Sequence, residues 1–311
     1  MTKKHVLLVV AILLSLSIFI VPAAVASSEK KVVGVSVMFS HPFFDIMSEG
    51  VKDVMGPEGY EVINLVGEFD VQKQIADVDD FIVQKVDAIF IEPFDSKAIR
   101  PALEAAQKAG IPVICLDSPA FDEDLIVANV ATDNYSAGAL AAEDLIAKLG
   151  GEGKVVAMYT PGAKSSLDRG TGFVETIEAK APGIEIVANQ SHDGKQENAL
   201  SIMENILQGQ KQIDGVFCSD EMGAFGVIAA FESANRLDEV SIYSVNGAQT
   251  EVDMIKANKL TATSAQQPYE VGRLGGQAML DYLAGKPVDK NVLVPVMFVD
   301  ANTVESYVPV Y

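Results

Sequence analysis

Several residue types that support particular functions are absent or scarce in this chain of 311 residues. Tryptophan does not occur, and there are only two cysteines and three histidines. Two cysteines cannot build a disulfide scaffold or a cysteine-rich metal site. Basic residues are also scarce, because 23 Lys and Arg stand against 43 Asp and Glu, a formal net charge of −20. Nucleic acids and anionic membranes require clustered Lys and Arg, so this charge argues against both as partners.

The remaining composition is typical of a folded, soluble protein. Apolar residues make up 49% and charged residues 21% of the chain. These proportions are those of a globular chain and not of a disordered one. At roughly 150 residues per domain, the length predicts about two domains, each large enough for its own core.

The first 26 residues have the order of features found in an export signal. Lys3 and Lys4 precede an almost wholly apolar run at 6–21, and the small-x-small site Ala24-Val25-Ala26 follows. This order indicates a secretory signal peptide. A transmembrane anchor is the alternative, but it needs about 20 apolar residues. We expect cleavage after Ala26, which leaves 21 basic against 43 acidic residues and a net charge of −22.

From residue 31 onward, the chain contains an internal repeat of one structural unit. Short β-branched runs alternate with helical patterns of roughly 10–15 residues, which indicates βαβ units around a parallel sheet. Strands are predicted in the first half at 32–39, 61–66, 87–92, 111–117 and 125–131. Similar runs follow in the same order in the second half, at offsets that rise from 123 to 134 residues. We therefore predict an α/β protein with two similar, doubly wound parallel-sheet lobes.

The predicted strand ends nominate a binding site. Ligand crevices of doubly wound lobes lie at the carboxyl ends of the strands. If the two lobes face each other, the residues just past those ends meet in one cleft. These segments are 40–44, 92–93, 117–118, 132–134, 161–169, 219–220, 246–247 and 266–267.

The side chains at these positions suit hydroxyl groups better than they suit catalysis. Hydrogen-bond donors and acceptors for hydroxyl groups come from Asp117, Arg169, Ser219, Asp220, Asn246 and Gln266. Phe43 and Phe44 follow Pro42 at a predicted helix start, where an aromatic face could pack on a sugar ring. Each assignment has a structural alternative. Asp117 could cap a turn, Arg169 could join a surface ion pair, and both phenylalanines could belong to the core.

Motifs for catalysis and for metal or cofactor binding are missing from the sequence. His41 and His192 are the histidines beyond the signal, and neither has a partner at a metal-ligand spacing. There is no G-x-S-x-G elbow and no G-x-x-x-x-G-K-[ST] phosphate loop. Cys115 and Cys218 fall in predicted buried strands of different lobes, so we interpret both as free thiols. We predict no enzymatic activity, no cofactor and no metal site.

Seven segments together resemble the periplasmic ribose-type sugar-binding proteins of ABC importers. They are S-H-P-F-F at 40–44, V-I-C-L-D at 113–117, T-D-N at 132–134, D-R-G-T-G-F at 168–173, S-D-E-M at 219–222, V-N-G at 245–247 and A-Q-Q-P at 265–268. They occur in the family's order and spacing, and the resemblance covers essentially all of residues 31–300. Lactose-repressor-type regulators share this core but carry an N-terminal helix-turn-helix. This chain has a signal peptide there, so DNA binding is not expected.

The resemblance implies the type I periplasmic binding protein fold, in which a three-stranded hinge joins two lobes. Crossovers are expected near Asp133, Gln267 and Val296. The implied domains are 31–132 plus 268–296 for the N-terminal lobe and 133–267 plus 297–311 for the C-terminal lobe. The ligand would bind between open lobes and stabilise the closed form, which the membrane permease recognises. The protein would be periplasmic and monomeric.

The resemblance also implies roles for particular residues. Phe44 matches the family's stacking residue, Asp117 its hydroxyl acceptor, and Arg169 the arginine that reaches the ring oxygen and hydroxyls. Gln266 matches the amide beside the hinge. The expected ligand-binding residues are His41, Phe43, Phe44, Asp117, Ser118, Arg169, Ser219, Asp220, Asn246 and Gln266.

Some positions depart from the ribose pattern. His41 and Ser219 stand where Asn is usual, Ser118 where Arg is usual, and Asn246 where Asp is usual. The aromatic position of the second lobe aligns with Gly194. A site built on hydroxyl pairing rejects ligands that leave its groups unpaired, so these changes leave the ligand open. A pentose, a hexose, a polyol or a furanosyl signal such as autoinducer-2 fits as well as ribose.

The expected function is that of the solute-binding component of an ABC importer, which binds a monosaccharide or similar polyhydroxylated ligand. The alternative is a sensory binding protein that presents its ligand to a chemoreceptor or histidine kinase. An exported sugar-modifying enzyme is a third hypothesis, which the missing catalytic motifs disfavour.

Overall fold

The computed structural model describes residues 30–311, so the predicted signal peptide lies outside the described residues. The strands are β1 (Lys31–Val37), β2 (Tyr60–Val66), β3 (Ala88–Ile91), β4 (Val113–Leu116), β5 (Ala128–Thr132), β6 (Glu152–Met158), β7 (Gly183–Gln190), β8 (Gly215–Cys218), β9 (Ser241–Asn246), β10 (Ala262–Ala265), β11 (Asn291–Val294) and β12 (Met297–Asp300). The α-helices are α1 (Pro42–Met55), α2 (Val71–Gln84), α3 (Arg100–Ala109), α4 (Asn134–Leu149), α5 (Lys164–Lys180), α6 (Gln196–Gly209), α7 (Glu221–Ser233), α8 (Gln249–Lys256) and α9 (Pro268–Leu283). Within the described range, no helix is long and apolar enough to cross a membrane.

The strands form two sheets of the same design. Sheet A has the order β11-β5-β4-β3-β1-β2, and sheet B has the order β12-β10-β9-β8-β6-β7. All neighbouring strands pair in parallel except β10 and β12, which are antiparallel. Each strand of the first half therefore has a counterpart at the same place in the second sheet. The predicted pair of doubly wound lobes is confirmed.

The hydrophobicity of the central strands explains why they lie inside the sheets. Every residue of β3, β4 and β8 is buried, and their sequences are A-I-F-I, V-I-C-L and G-V-F-C. Parallel strands that are covered by helices on both faces require such continuous apolar runs. Separate apolar clusters fill the two faces of each sheet, and each lobe thus has its own core.

The chain passes between the sheets three times, after Thr132, after Ala265 and after Val294. Helix α4 follows β5 of sheet A but packs on α5 and on strands of sheet B. Helix α9 follows β10 of sheet B but packs on α1 and on strands of sheet A. The two sheets are therefore tied by three adjacent crossings. The lobe boundaries given above remain a prediction. Every strand of sheet A lies within the ranges predicted for the N-terminal lobe, and every strand of sheet B lies within those predicted for the C-terminal lobe.

Glycines allow the two crossing helices to approach their partners closely. A Cβ at Gly272 of α9 would lie 1.8 Å from the Met47 carbonyl oxygen of α1. A Cβ at Gly138 of α4 would lie 1.8 Å from the Arg169 carbonyl oxygen of α5. Such distances are far inside van der Waals contact, so neither position admits a side chain without a backbone shift. The two lobes use the same device at matching helix pairs.

The first prediction concerns this helix contact. Gly272→Ala should lower the free energy of unfolding by about 3 kcal/mol, because the added methyl group would force α9 away from α1. Chemical unfolding followed by circular dichroism would measure the change. Gly56→Ala is the matched control, since Gly56 has φ of −59° and a Cβ there would meet nothing within 4 Å. Equal stability of the two variants would contradict the prediction.

Candidate ligand-binding site

A cavity of about 200 Å³ lies between the carboxyl ends of the two sheets. Its volume is below the range of about 300–1,000 Å³ that is usual for drug-sized ligands, so it suits a smaller molecule. Both lobes contribute to its walls. The lining residues are Met38, Phe39, His41, Phe43, Phe44, Phe69, Phe94, Asp117, Thr160, Ala163, Ser165, Ser166, Arg169, Asp193, Gly194, Asp220, Glu221, Met222, Asn246 and Gln266.

Most of the ligand-binding residues predicted from the sequence line this cavity. Eight of the ten line it, namely His41, Phe43, Phe44, Asp117, Arg169, Asp220, Asn246 and Gln266. Ser118 and Ser219 do not line it, and both are fully buried behind its walls. The structure thus brings the strand ends together as expected, whereas ligand binding by these residues stays a prediction.

Ser118 supports a contact between the lobes instead of facing the cavity. Its hydroxyl lies 3.4 Å from the hydroxyl of Ser96. The Ser96 hydroxyl accepts a hydrogen bond of 2.9 Å from the Lys164 backbone N–H, and the Ser96 N–H donates to the Gly162 carbonyl at 3.0 Å. Ser96 belongs to the first lobe, and Gly162 and Lys164 belong to the second. Ser118 therefore lies behind Ser96, whose two hydrogen bonds connect the lobes on one side of the cleft.

Arg169 extends from α5 into the cavity and is fixed from behind. Its Nε donates to the Asn134 side-chain oxygen at 2.7 Å, and its Nη1 donates to the Ser219 carbonyl at 2.8 Å. Ser219 therefore positions the arginine through its backbone. The Nη2 atom of Arg169 is buried without a hydrogen-bond partner. A buried donor without a partner costs free energy, so a ligand acceptor at this atom would be favoured.

Asp117 places a second unpaired atom in the cavity. It follows β4 with φ of +57°, an uncommon conformation for a residue other than glycine. Its Oδ1 is buried and has no hydrogen-bond partner. Burial raises the pKa of Asp117, and the nearby Arg169 guanidinium opposes this shift. Asn246, at the matching end of β9, also has a positive φ, at 144°. The two lobes thus present a strained polar residue at equivalent strand ends, as functional sites often do.

Glu92 is a further carboxyl group behind the cavity wall, within a segment that the strand ends had nominated. It is almost fully buried, and its Oε2 accepts a hydrogen bond of 2.9 Å from the Met38 N–H. Its Oε1 is buried without a partner. Burial and, to a smaller extent, the Asp117 carboxyl raise the pKa of Glu92 well above its ordinary value. The deep end of the cavity is therefore rich in acceptors and has one guanidinium.

A chain of polar side chains joins the hinge to the mouth of the cleft. The Thr132 hydroxyl donates to Oε1 of the Gln266 side chain at 2.6 Å, and Nε2 of Gln266 donates to Oδ1 of the Asn246 side chain at 2.5 Å. The Asn246 amide donates in turn to Glu221 Oε2. The other Glu221 oxygen, Oε1, lies 3.6 Å from Nε2 of His41. Thr132 and His41 belong to the first lobe, whereas the three residues between them belong to the second. The chain therefore links the two lobes at the hinge and again across the cleft.

Glu221 was not among the expected site residues, although it directly follows Asp220. It is the first residue of α7, a position where a carboxylate usually serves the helix alone. Here it lines the cavity, and only the folded structure brings Asn246 and His41 to it. Burial, reinforced by Glu251 and Asp220, raises the pKa of Glu221 to about 8. On the His41 side, burial lowers the pKa of the imidazole, and Asp45 opposes that shift.

Aromatic residues cover the first-lobe wall more extensively than the sequence indicated. Phe43 and Phe44 were expected, but Phe39, Phe69 and Phe94 also line the cavity. The rings of Phe39 and Phe69 are stacked, with centroids 4.2 Å apart and an interplanar angle of 14°. Phe39 falls at the end of a predicted strand, whereas Phe69 and Phe94 lie in loops without any local signal of function.

Several reactive side chains lie outside the cavity. Cys115 and Cys218 are both free and buried, as predicted, and burial raises the pKa of Cys115 to about 12. Within residues 30–311 there is no group of three His, Cys, Asp or Glu that could hold a metal ion. His192 is fully buried behind the wall, with its Nε2 3.4 Å from Asp220 Oδ2. Asp220 itself accepts from the Gly223 N–H and caps α7.

Comparison with known proteins identifies the family. Residues 33–287 match the family described as periplasmic binding protein domain. The chain is 33% identical to the ribose import binding protein RbsB of Bacillus subtilis, over 92% of this chain and 96% of that protein. It is 30% identical to the Escherichia coli RbsB, over 94% of this chain and 98% of that protein.

Solved structures agree with these relatives. A solute-binding protein of an ABC transporter from Bacillus halodurans with bound myo-inositol has a TM-score of 0.82 and 27% identity, covering 91% of this chain and 98% of that one. A carbohydrate transporter solute-binding protein from Agrobacterium radiobacter in complex with D-arabinose has a TM-score of 0.81 and 29% identity, covering 90% and 99%. The chain therefore belongs to the periplasmic binding proteins of the ribose type, and the resemblance noted in its sequence is confirmed.

The second prediction concerns the pH dependence of stability. Glu221 keeps its proton up to about pH 8 when folded, against an ordinary value of 4.5. The folded state therefore holds one more proton than the unfolded state between these values, so stability falls as the pH rises through this range. Glu221→Gln cannot ionise and escapes this loss. At pH 8 the variant should be more stable by about 2–4 kcal/mol, and at pH 4.5 the difference should be small.

Urea unfolding of both proteins at several pH values would measure this difference. Glu178→Gln, a change at an exposed position of α5, is the control and should follow the unaltered protein at every pH. A constant difference between Glu221→Gln and the unaltered protein across the pH range would contradict the assignment.

Proposed function

We propose that the protein is the solute-binding component of an ABC importer and that it binds a monosaccharide or similar small polyhydroxylated ligand between its lobes. The observation that carries this proposal is the pair of buried, unpaired atoms at the cavity, Asp117 Oδ1 and Arg169 Nη2. A ligand hydroxyl both donates and accepts hydrogen bonds, so one class of ligand satisfies both atoms. Aromatic rings on the adjoining wall offer a surface for the C–H face of a sugar.

The ligands of related proteins support this class. The relatives include import proteins for ribose and D-apiose and binding proteins for xylitol and D-allose. Similar solved structures hold myo-inositol, D-allose, D-fucose or D-arabinose. These compounds are neutral and carry several hydroxyl groups. A neutral ligand of the same kind could pair with Asp117 and Arg169 through its hydroxyl groups without bringing a charge into the buried cavity.

Closure of the lobes would be the signal to the membrane permease. Contacts already cross the cleft from Ser96 to Gly162 and from His41 to Glu221. A ligand that contacts both walls binds the closed form more tightly than the open form and so shifts the population toward it. Delivery to a permease, a periplasmic location, the signal peptide and the absence of enzymatic activity are parts of this proposal. A sensory role would use the same closure, and no contact in the described residues favours it.

The third prediction is that a neutral polyhydroxylated compound stabilises the protein. A thermal-shift screen would use D-ribose, D-allose, D-arabinose, D-fucose, xylitol, myo-inositol and autoinducer-2. A ligand present at 100 times its Kd should add about 2.7 kcal/mol to the free energy of unfolding. At least one member should raise the melting temperature in a concentration-dependent way. A screen without any shift would contradict the proposed ligand class.

The fourth prediction concerns the two unpaired groups. Asp117→Ala and Arg169→Ala should each weaken binding of the compound found in the screen by roughly 100-fold or more. The ligand hydroxyl that the removed side chain would bind is then buried without a partner. Titration calorimetry would measure the loss. Arg100→Ala is the control for removal of an arginine, since Arg100 is exposed and pairs with Glu104 on the surface. Unchanged affinity in either site variant would refute the assignment of that residue.

A further inference from the structure

The segment that follows β12 is tied to the second lobe through its backbone and its first side chains. Val304 is buried in the apolar cluster that α6, α7 and α8 form with sheet B, and Tyr307 packs on the same cluster. The Tyr307 hydroxyl donates to the Gly247 carbonyl at 2.9 Å. Four residues later, the Tyr311 carbonyl accepts a hydrogen bond of 2.8 Å from the N–H of Gln249, the first residue of α8.

The side chain of Tyr311 lies against the first lobe instead. Its ring forms a T-shaped contact with the imidazole of His41, with centroids 5.4 Å apart and an interplanar angle of 81°. A second T-shaped contact joins it to the ring of Phe43, at 6.0 Å and 87°. The same side chain packs on the buried apolar cluster that β1, α1 and α9 share. Tyr311 therefore contacts both lobes, one through its carbonyl and the other through its ring.

These contacts place Tyr311 directly behind the binding site. Tyr311 does not line the cavity, but both of the rings that it contacts do. The His41 Nδ1 accepts a hydrogen bond of 3.3 Å from the Phe43 N–H, so the two residues form the start of α1 together. If the lobes moved apart, Tyr311 would have to leave these rings or give up its hydrogen bond to Gln249. The contact thus stabilises the arrangement in which the lobes are close.

The ring of Tyr311, and not its hydroxyl group, makes these contacts. The Oη atom is buried and has no hydrogen-bond partner among the described residues. Burial, reinforced by Glu221 and Glu251, raises the pKa of this hydroxyl group above its ordinary value, so the group stays neutral. A phenylalanine at the same position would keep the ring contacts and remove a buried group without a partner.

The hydrogen bonds of Ser96 connect the lobes on the opposite face of sheet A. Ser96 precedes α3, and Ile99 and Leu103 belong to the apolar cluster of that face. Phe43 belongs to the cluster of the other face, which α1 covers. Alternate residues of β3 and β4 divide between these clusters, as the two faces of a sheet require. Ser96 and Tyr311 therefore bridge the cleft at its two flanks.

We propose that Tyr311 is a positioning residue of the binding site, which joins the second lobe to His41 and Phe43 and so favours the closed form of the cleft. Removal of the ring costs the closed form two aromatic contacts, for which a fall of about tenfold in the ratio of closed to open protein is expected. A ligand that requires the closed form then binds more weakly, since fewer molecules are competent to bind it. This link to affinity rests on the proposed function, whereas the contact between the lobes requires no ligand.

Double electron–electron resonance would measure the distance between the lobes without any ligand. Nitroxide labels at Gln72→Cys and Gln196→Cys suit this purpose, because both positions are exposed and lie at the starts of α2 and α6. These helices follow β2 and β7, the edge strands farthest from the crossings. Cys115 and Cys218 are buried and should not react with the label. Tyr311→Ala should lower the ratio of closed to open distances about tenfold.

Two further variants of the labelled protein separate the ring from the rest of the segment. Tyr311→Phe should keep the distances of the unaltered protein, because it keeps the ring and removes only an unpaired hydroxyl group. Val308→Ala is the control, since Val308 is 80% exposed in the same segment and should also change nothing. Circular dichroism would show that each variant is folded, and Tyr311→Leu would replace Tyr311→Ala if the latter does not fold.

Titration calorimetry with D-ribose, xylitol and myo-inositol would measure the effect on affinity. Where the open form predominates without ligand, a compound that binds the unaltered protein should bind Tyr311→Ala about tenfold more weakly. Its affinity for Tyr311→Phe and for Val308→Ala should be unchanged.

Equal distance distributions in Tyr311→Ala and the unaltered protein would overturn the inference, and so would the same shift in Tyr311→Phe. If Tyr311→Ala opens the cleft while none of the three compounds binds, the contact between the lobes stands and the proposed function fails for these compounds. If a compound binds every variant with equal affinity and the distances are also equal, the proposed function stands and this inference fails.

Discussion

The cleft depends on two polar atoms that are buried without partners, Asp117 Oδ1 and Arg169 Nη2. Each costs about 1–3 kcal/mol as long as it stays unpaired. The fold holds both groups in place without partners. Arg169 donates hydrogen bonds to Asn134 and to the Ser219 carbonyl, and Asp117 has a left-handed backbone conformation directly after β4. Ligand hydroxyls would remove the penalty in the closed form, where both walls contact the ligand. Under the proposed function, ligand affinity and lobe closure would therefore have one physical origin.

The two halves of the chain keep the same scaffold and carry different chemistry. Both end a central strand in a polar residue with positive φ, Asp117 in one lobe and Asn246 in the other. Both also pack a crossing helix through a glycine, Gly272 and Gly138. The first lobe then adds a wall of aromatic rings, whereas the second adds the amide and carboxyl groups that lead to Glu221. The two lobes thus have the same strand order but line the cavity with different side chains.

Much of the site could be predicted because parallel strands place their carboxyl ends at one edge. Apolar runs located the strands, so Asp117, Arg169 and Gln266 could be assigned to one cleft. Whether their neighbours in the sequence also face the cavity could not be predicted, because adjacent residues point in different directions at a strand end. Ser118 turns away and supports Ser96, and Phe69 enters the cavity from a loop without any periodic signal. Neither direction can be derived from residue types alone.

The sequence by itself determined the α/β class, the duplicated lobes, the family and the strand ends at which ligand chemistry gathers. These features follow from hydrophobic periodicity and from motif order, which are local properties of the chain. Only the tertiary structure decided that Glu221 lies between Asn246 and His41 and that Phe39, Phe69 and Phe94 line the same cavity as Phe43 and Phe44. Those contacts join residues far apart in the chain, and they depend on how the two lobes meet. Packing between distant segments, not local pattern, therefore decides which side chains line the cavity.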